Sequence, residues 1–286
     1  AVPFMLSDGS LLVSDDHSNL IYKISSEAWY LFMQDLRKLL DLAKRSALEA
    51  GLFLKSNFNN PHIKTFDDGR DIKLAIDSES ENLILNTIRS ESNLPILSEE
   101  SGKTDDLGEK YWIVDPLDGT SNYFRKIPLC AVSIALMKDK KPLLGVIYDF
   151  MNDDLYYAAK SHGSFCNEQK LSVSNITNAK DGTIMTGIPA KSNYTDEEFS
   201  AIINLFQSWK KIRMIGSAAI ANLFVAIGKA DCYEENGTFI WDVAAGAIIV
   251  EEAGGYASLS KIRDDFRVDA KFTNGKITQK WMDWSG

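Results

Sequence analysis

The sequence predicts an α/β (α+β) protein in which layers alternate as α-β-α-β-α, with mixed and largely antiparallel sheets. Three observations indicate this fold class. A long helical pattern opens the main part of the chain, short β-rich segments fill its middle, and helical patterns return in the last third. Several of the β-rich segments are joined by brief turns, which favours antiparallel neighbours.

The first half begins with apolar residues that recur at helical spacing from Leu36 to Leu54, which predicts a long amphipathic helix before Pro61. The polar stretch from Asn57 to Arg70 predicts a loop, and a second helical pattern covers about Ser78 to Arg89. Segments rich in β-formers and bounded by turn residues then predict these strands: Tyr111–Val114, Ala131–Met137, Leu143–Tyr148, Asp154–Ala158 and Thr183–Gly187.

The last third predicts three helices separated by two strand-like segments. The helices are Asp196–Trp209, Ser217–Ile227 and Asp242–Ala253, and the strands are Lys211–Ile215 and Ala230–Glu234. No repeat or long linker marks a sharp domain boundary. We therefore expect an N-terminal extension over residues 1–31, and one domain over residues 32–286 with a soft division near residue 175.

The amino-acid composition argues against nucleic acids and membranes as binding partners. The 286 residues are 45% hydrophobic and 25% charged, as in an ordinary soluble globular protein. The chain has 31 basic and 40 acidic residues, for a net charge of −9, so direct nucleic-acid binding is not expected. It has no apolar run of about 18 residues, and Ala1–Val13 lacks a basic start. We predict a cytoplasmic protein without a membrane partner.

The scarcity of histidine and cysteine argues against zinc sites and disulfide frameworks. The three histidines show no zinc-ligand spacing with one another or with the three cysteines, and the cysteines are too scattered for a disulfide framework. Carboxylates are abundant by contrast, and carboxylates without histidine favour hard cations such as Mg²⁺.

The densest motif runs from Trp112 to Asn122. A hydrophobic strand is predicted to end at Asp115, after which the chain turns into a short helix. Asp115 and Asp118 can point to one place across this turn, where two carboxylates repel unless a cation such as Mg²⁺ lies between them. Gly119 and Thr120 would offer backbone N–H groups to a phosphate. For Asp-Gly-Thr alone, a plain acidic turn with a helix cap is the alternative.

Three further acidic segments accompany this motif. Pro95–Ser101 predicts a strand that ends in Glu99 and Glu100, and spacing does not choose between the two as a ligand. Asp242 stands where a helix is predicted to begin, either as its N-cap or as a third metal ligand. Asp77 either caps the following helix, which its position alone favours, or acts as a base.

Three segments together resemble the signature motifs of the inositol monophosphatase family, within the Mg²⁺-dependent, lithium-sensitive phosphatase superfamily: Leu97–Ser101, Trp112–Asn122 and Trp241–Gly255. The resemblance extends from about Phe32 to Lys276. It implies a phosphatase that hydrolyses small phosphate monoesters by in-line attack of a metal-activated water. Inositol monophosphate is the leading candidate substrate. The resemblance further implies two or three Mg²⁺ ions per site, lithium sensitivity and a homodimer.

The same resemblance assigns a role to each matching residue. Five would supply metal ligands: Glu99, Asp115, Leu117 through its carbonyl, Asp118 and Asp242. Thr120, hydrogen-bonded to Asp77, would orient and help deprotonate the attacking water, while Glu99 would also help to hold a weaker third ion. Five would contact the substrate: Gly119 and Thr120 at the phosphate, Glu235 at its hydroxyl groups, and Ser217 and Ala218 along the pocket.

The chain also departs from the family pattern. Lys73-Leu74 stands where Val-Thr is common, beside the third metal site, and Phe239-Ile240 makes the sugar pocket more apolar. Alternatives within the superfamily are a 3′-phosphoadenosine 5′-phosphate phosphatase and a fructose 1,6-bisphosphatase, although Ser121–Tyr123 is closer to the inositol enzymes than to the nucleotide branch. From another class, the alternative is a non-catalytic partner of bacterial transcription or ribosome-assembly complexes.

Overall fold

The structure is a computed structural model that describes residues 4–5, 11–15, 20–67, 72–103, 106–188 and 195–277. The chain divides into two compact units, residues 1–41 and 42–286. The first unit contains an antiparallel sheet of β1 (Phe4–Met5), β2 (Leu11–Asp15) and β3 (Leu20–Ile24). Helix α1 (Ser26–Asn57) begins in this unit and ends in the second, so the helix starts ten residues before Leu36, the first residue of its predicted pattern.

A hairpin and a helix follow α1. Strands β4 (Lys64–Asp67) and β5 (Ile72–Leu74) pair antiparallel, so the loop predicted over 57–70 is wrong for its second part, where β-prone residues find a partner strand. Helix α2 (Ala75–Glu91) begins three residues before the predicted start at Ser78.

The first sheet of the larger unit has eight strands, which are β6 (Ile96–Ser98), β7 (Gly102–Lys103), β8 (Lys110–Asp118), β9 (Ala131–Lys138), β10 (Lys141–Asp149), β11 (Asp154–Ala159), β12 (Gly163–Cys166) and β13 (Gln169–Lys170). Their order is β13-β12-β11-β10-β9-β8-β6-β7. Only β6 and β8 pair parallel, and the other neighbours are antiparallel. The short helix α3 (Thr120–Phe124) joins β8 to β9.

The second sheet has five strands, which are β14 (Thr183–Thr186), β15 (Lys211–Arg213), β16 (Cys232–Phe239), β17 (Tyr256–Leu259) and β18 (Arg267–Thr273). In the order β15-β14-β16-β18-β17, β14 is parallel to both neighbours and the other pairs are antiparallel. Three helices connect them: α4 (Asp196–Gln207), α5 (Ala218–Ala226) and α6 (Ile240–Glu252).

Helices of the larger unit lie between these sheets and against the first of them. Helices α5 and α6 contact strands of both sheets and therefore lie between them, while α2 packs on β8. Ten of the thirteen residues of α6 are buried, as expected for a helix covered on all sides. Close packing needs Gly145 of β10, because a Cβ there would lie 2.6 Å from the Ala245 carbonyl oxygen. The predicted layered α/β sandwich with mixed sheets is confirmed.

The end of one strand and the start of one helix near the acidic motifs differ from their predicted positions. Strand β8 continues through Asp118 and does not end at Asp115, because the pairing with β9 resumes after an irregularity. Helix α6 begins at Ile240, so Asp242 is its third residue and not its N-cap. Among the described residues, none of the helices has the length and the hydropathy that a membrane span requires.

Candidate metal and substrate site

Asp115 and Asp118 owe their shared orientation to a bulge in β8. Asp115 pairs with Ser133 and Asp118 with Ala131, so three steps along β8 correspond to two steps along β9. Residues three apart in a regular strand point to opposite faces, and one extra residue restores them to the same face. Pro116 lies in this bulge, where its missing N–H costs no ladder hydrogen bond.

The Asp118 carboxylate lies at the start of α5. Its Oδ1 accepts a hydrogen bond from the Ala218 amide (3.2 Å), and its Oδ2 accepts bonds from the Ala219 amide (3.1 Å) and the Ser217 hydroxyl. These amides have no partner within the helix, and the positive end of the helix dipole favours a carboxylate. Asp118 therefore joins the eight-stranded sheet to a helix of the middle layer.

The Asp242 carboxylate reaches the same place from the first turn of α6. Its Oδ2 accepts hydrogen bonds from the Thr238 hydroxyl (2.7 Å) and the Phe239 amide (3.0 Å). One carboxylate oxygen each from Asp115, Asp118 and Asp242 lie within 4.8 Å of one another. The structure thus brings together three acids that two distant sequence motifs supply.

Glu99 and Glu100 diverge at the end of β6. Glu99 lies beside Asp115 and Asp242, and its amide donates to the Val114 carbonyl (3.1 Å) of β8. Glu100 instead accepts a hydrogen bond from the Lys73 ammonium (2.7 Å). Spacing left the two residues equivalent, whereas the structure directs only Glu99 into the cavity that Asp115 lines.

Asp77 is buried in the first turn of α2. Its Oδ2 accepts a hydrogen bond from the Leu74 amide (2.8 Å), so it caps the helix from the third helical position. The Thr120 hydroxyl donates its hydrogen bond to the Leu117 carbonyl (3.0 Å). This differs from the predicted bond between Thr120 and Asp77, because a hydroxyl has one proton to donate.

Burial and mutual repulsion raise the pKa values of the clustered acids. Burial first and the nearby Asp242 second raise the pKa of Asp118 to about 7, although the bonds from Ser217 and the α5 amides oppose the rise. The pKa values of Asp115 and Glu99 are raised well above their usual range for the same two kinds of cause. Carboxylates crowded in this way favour a cation among them, and an all-oxygen donor set suits Mg²⁺. The residues present therefore fit a magnesium site.

A cavity of about 260 Å³ opens beside these acids. Its wall includes Glu99, the three clustered aspartates, Leu117, Gly119 and Thr120, together with Glu235, Phe239 and Arg267. Gly119 has φ +85°, and a Cβ there would lie 2.8 Å from the Leu129 carbonyl oxygen, so the tight turn after Asp118 requires glycine. This turn brings the predicted phosphate-binding residues to the cavity wall.

A second cavity, of about 370 Å³, shares Asp118, Asp242 and Glu235 with the first and is also lined by Ser217 and Ala218. Glu235 accepts a hydrogen bond from the Tyr233 hydroxyl (2.9 Å), and burial raises its pKa to about 7. A Cβ on Gly187 would lie 2.4 Å from Glu235 Oε2. The predicted substrate residues thus all line space that adjoins the acidic cluster.

Sequence reasoning missed three residues of this region. Thr238 bonds to Asp242, Tyr233 bonds to Glu235, and Arg267 lines the first cavity. Thr238 precedes the Trp241 motif by only three residues, so a polar side chain there was a usable signal. Arg267 offers no comparable signal, because it stands in β18, outside all of the acidic motifs.

Comparisons with known proteins agree with this geometry. The sequence model of the inositol monophosphatase family matches residues 35–269. The Nus factor SuhB of Escherichia coli is 34% identical over 229 residues, which cover 78% of this chain and 85% of that protein. A protein of Aquifex aeolicus named fructose-1,6-bisphosphatase/inositol-1-monophosphatase is 32% identical over 234 residues, covering 79% of this chain and 88% of that protein.

Solved structures show the same likeness. An inositol monophosphatase from Anabaena (Nostoc) superposes with a TM-score of 0.73 at 33% identity, over 85% of this chain and 92% of that chain.

Proposed function

The chain belongs to the inositol monophosphatase family, and we propose that it is a Mg²⁺-dependent phosphatase of small phosphate monoesters. Inositol monophosphate is the leading candidate substrate. The observation that carries the proposal is the cluster of Asp115, Asp118 and Asp242, whose oxygens lie within 4.8 Å beside an open cavity. A merely structural acid cluster has no need of a cavity lined by further polar groups.

Five residues would hold two or three Mg²⁺ ions: Glu99, Asp115, Leu117 through its carbonyl, Asp118 and Asp242. When bound, Mg²⁺ makes water more acidic and neutralises charge on a phosphate ester. The hydrogen bonds to Asp118 and Asp242 hold these carboxylates in place, which limits the reorganisation needed when an ion binds.

The other residues would position the reactants. The Thr120 hydroxyl, directed at Leu117, would accept a hydrogen bond from the attacking water and orient it, and Asp77 would act as the base that takes up the proton. The Gly119 and Thr120 amides would bind the phosphate. Glu235 would contact the hydroxyl groups of the leaving alcohol, and Ser217 and Ala218 would line the same pocket. Water oxygen bonds to phosphorus as the ester P–O bond breaks, and the leaving alkoxide takes up a proton.

The test is phosphate release from inositol 1-phosphate and a panel of small esters, with and without Mg²⁺. We expect hydrolysis only with the metal. If no ester is hydrolysed, or if Asp242→Asn keeps the wild-type rate, the proposal is wrong.

Family membership supports proposals on three further properties, which are the cellular location, the oligomeric state and the response to lithium. We propose a cytoplasmic homodimer whose activity is inhibited by lithium. Light scattering of the purified chain and a lithium titration of its phosphatase activity test the last two, and a monomer or a lithium-resistant enzyme would contradict them.

A second candidate function is supported by the relatives named Nus factor SuhB. In this alternative the chain docks on a protein complex of bacterial transcription, independently of catalysis. Capture of RNA polymerase by both the wild type and Asp118→Asn would support it, and capture by neither would remove it.

A further inference from the structure

Arg267 is the one cation among the described residues that line the acidic cavity. The remaining lining residues include five carboxylates, which are Glu99, Asp115, Asp118, Glu235 and Asp242. Arg267 stands at the first position of β18 and is 19% exposed, so its head group lies at a wall of the cavity and not in open solvent.

The arginine is held from two sides. Its guanidinium lies 4.3 Å from the Phe239 ring centroid, and Phe239 stacks on Trp241 with centroids 4.6 Å apart and planes 9° from parallel. Its Nη1 donates to the Gly237 carbonyl, and its Nε lies 3.4 Å from Asp265. A guanidinium carries more N–H groups than these two contacts use, so donors remain for a ligand.

The same backbone segment fixes this cation relative to the acids. Gly237 binds Arg267 through its carbonyl, and the next residue, Thr238, bonds to Asp242 through its hydroxyl. The separation between the guanidinium and the acidic cluster is therefore set by adjacent residues of one strand. Such rigid spacing is what recognition of two groups on one small molecule requires.

Arg267 has no ion-pair partner of equal burial among the described residues. Two divalent cations would neutralise the carboxylates of Glu99, Asp115, Asp118 and Asp242, and the fifth acid, Glu235, is bonded to the Tyr233 hydroxyl and not to Arg267. Asp265, the acid nearest to Arg267, is 59% exposed, and an exposed pair is worth little because water screens it. A partly buried guanidinium that faces a cavity remains available to an anion, and its planar fork matches phosphate and carboxylate oxygens.

We propose that Arg267 binds a second oxyanion group of a substrate, so that esters with a phosphate or a carboxylate besides the phosphate that is hydrolysed are also accepted, and are preferred to the matched sugar esters that lack this second group. This inference rests on the proposed phosphatase function. It makes Arg267 a specificity-determining residue, because it would contact the substrate away from the reacting phosphorus.

Two matched pairs of esters test the inference: fructose 1,6-bisphosphate against fructose 1-phosphate, and 6-phosphogluconate against glucose 6-phosphate. The readout is the ratio of kcat/KM for the ester with two oxyanion groups over the matched ester with one. We expect a ratio well above one in the wild type for one or both pairs. Arg267→Met, which keeps the side-chain stem over Phe239, should lower that ratio by about tenfold or more.

Arg267→Lys keeps the charge without the planar fork and should give an intermediate ratio. Arg89→Met is the control, because it removes an equal charge from the exposed end of α2 and should leave the ratio unchanged. The pair whose ratio responds identifies the second group as phosphate or carboxylate. A wild-type ratio near one for both pairs, or the same ratio in Arg267→Met, overturns the inference while leaving the phosphatase function intact.

Equilibrium binding of the four esters, measured by calorimetry, separates the two proposals. If no ester is hydrolysed but the esters with two oxyanion groups still bind more tightly through Arg267, the proposed function fails and the inference stands. If binding shows no advantage that depends on Arg267, the inference fails whatever the catalytic result.

Discussion

The Lys73 ammonium lies 2.7 Å from Glu100 Oε1, immediately beside Glu99. The Glu81 carboxylate of α2 accepts hydrogen bonds from the Glu100 and Ser101 amides (3.2 and 3.1 Å), so the turn that carries both glutamates is held in place. Burial opposes the charged form of Lys73, but Glu100, Glu99 and Asp77 together raise its pKa. A resident positive charge thus stands next to the candidate metal ligand Glu99.

Removal of that charge should strengthen metal binding. Lys73→Met deletes a cation that repels Mg²⁺, and a unit charge at several ångströms contributes roughly 1 kcal/mol near a protein surface, or about fivefold in Kd. Calorimetric titration with Mg²⁺ measures the effect. Lys103→Met, an exposed lysine of β7, is the control and should change little. Weaker Mg²⁺ binding by Lys73→Met would contradict the electrostatic account.

Asp242 is the sharpest test of the acidic cluster. Asp242→Asn keeps an oxygen that can accept the bonds from Thr238 and Phe239, so the start of α6 should persist. The lost charge should lower kcat/KM by about a hundredfold or more and weaken Mg²⁺ binding, as expected for a metal ligand. Asp139→Asn makes the same change in an exposed turn and should retain full activity. Equal behaviour of the two variants would exclude Asp242 as a ligand.

The stability of the metal-free protein should fall as pH rises. The pKa of Asp118 is raised from 3.8 to about 7, so its contribution to stability is present below pH 4 and is lost as pH increases to 7. Asp115 and Glu99 shift in the same direction. Because Mg²⁺ removes the repulsion, the rise in Tm that it causes should be several degrees larger at pH 8 than at pH 5, from a few kcal/mol of linkage.

Thermal unfolding with Mg²⁺ and with a chelator at both pH values measures this difference. Asp242→Asn should show a smaller metal-induced rise at pH 8. An equal rise at both pH values would show that the cluster is not the metal site.

A substitution at Gly187 can displace the Glu235 carboxyl group without changing the acid itself. A Cβ there would lie 2.4 to 2.6 Å from the Glu235 carboxyl atoms, and a flexible side chain can move away, so Gly187→Ala should fold but displace the carboxyl group from Tyr233. We expect KM for inositol 1-phosphate to rise about tenfold, with a smaller change for p-nitrophenyl phosphate, which has no polyol hydroxyls to contact. Glu235→Gln should show the same pattern, and equal losses on both esters would contradict a role in hydroxyl recognition.

Most elements of the larger unit were predictable because their patterns are local. The strands from β8 to β11 and helix α6 are long apolar segments bounded by turn residues, so periodicity located them. Strand β4 was missed because all four of its residues are exposed and only its pairing with β5 makes it a strand. The early start of α1 at Ser26 likewise lies outside the apolar repeat that predicted the helix.

The candidate acids were also predictable, because the metal chemistry requires carboxylates and their motifs are short. The local contact from Thr238 to Asp242 was within reach of sequence reasoning, but the long-range contacts of this region were not. Ser217 lies 99 residues from Asp118, and Arg267 lies 30 residues from its partner Gly237, so only the folded sheets bring them together. The bulge at Pro116 was equally hidden, since it depends on the register of β9.

The bond between Asp118 and α5 also has a consequence for the order of folding. Asp118 binds the amides of residues 100 and 101 positions later, and Asp242 follows from still farther along the chain, so the complete acidic cluster exists only after both sheets have closed on the middle helices. Because the entropy of closing such long loops is lost before the contacts form, we expect the cluster to be completed late in folding. A cation would therefore meet its full set of ligands only after the transition state of folding. Its binding should slow unfolding and leave the rate of folding unchanged.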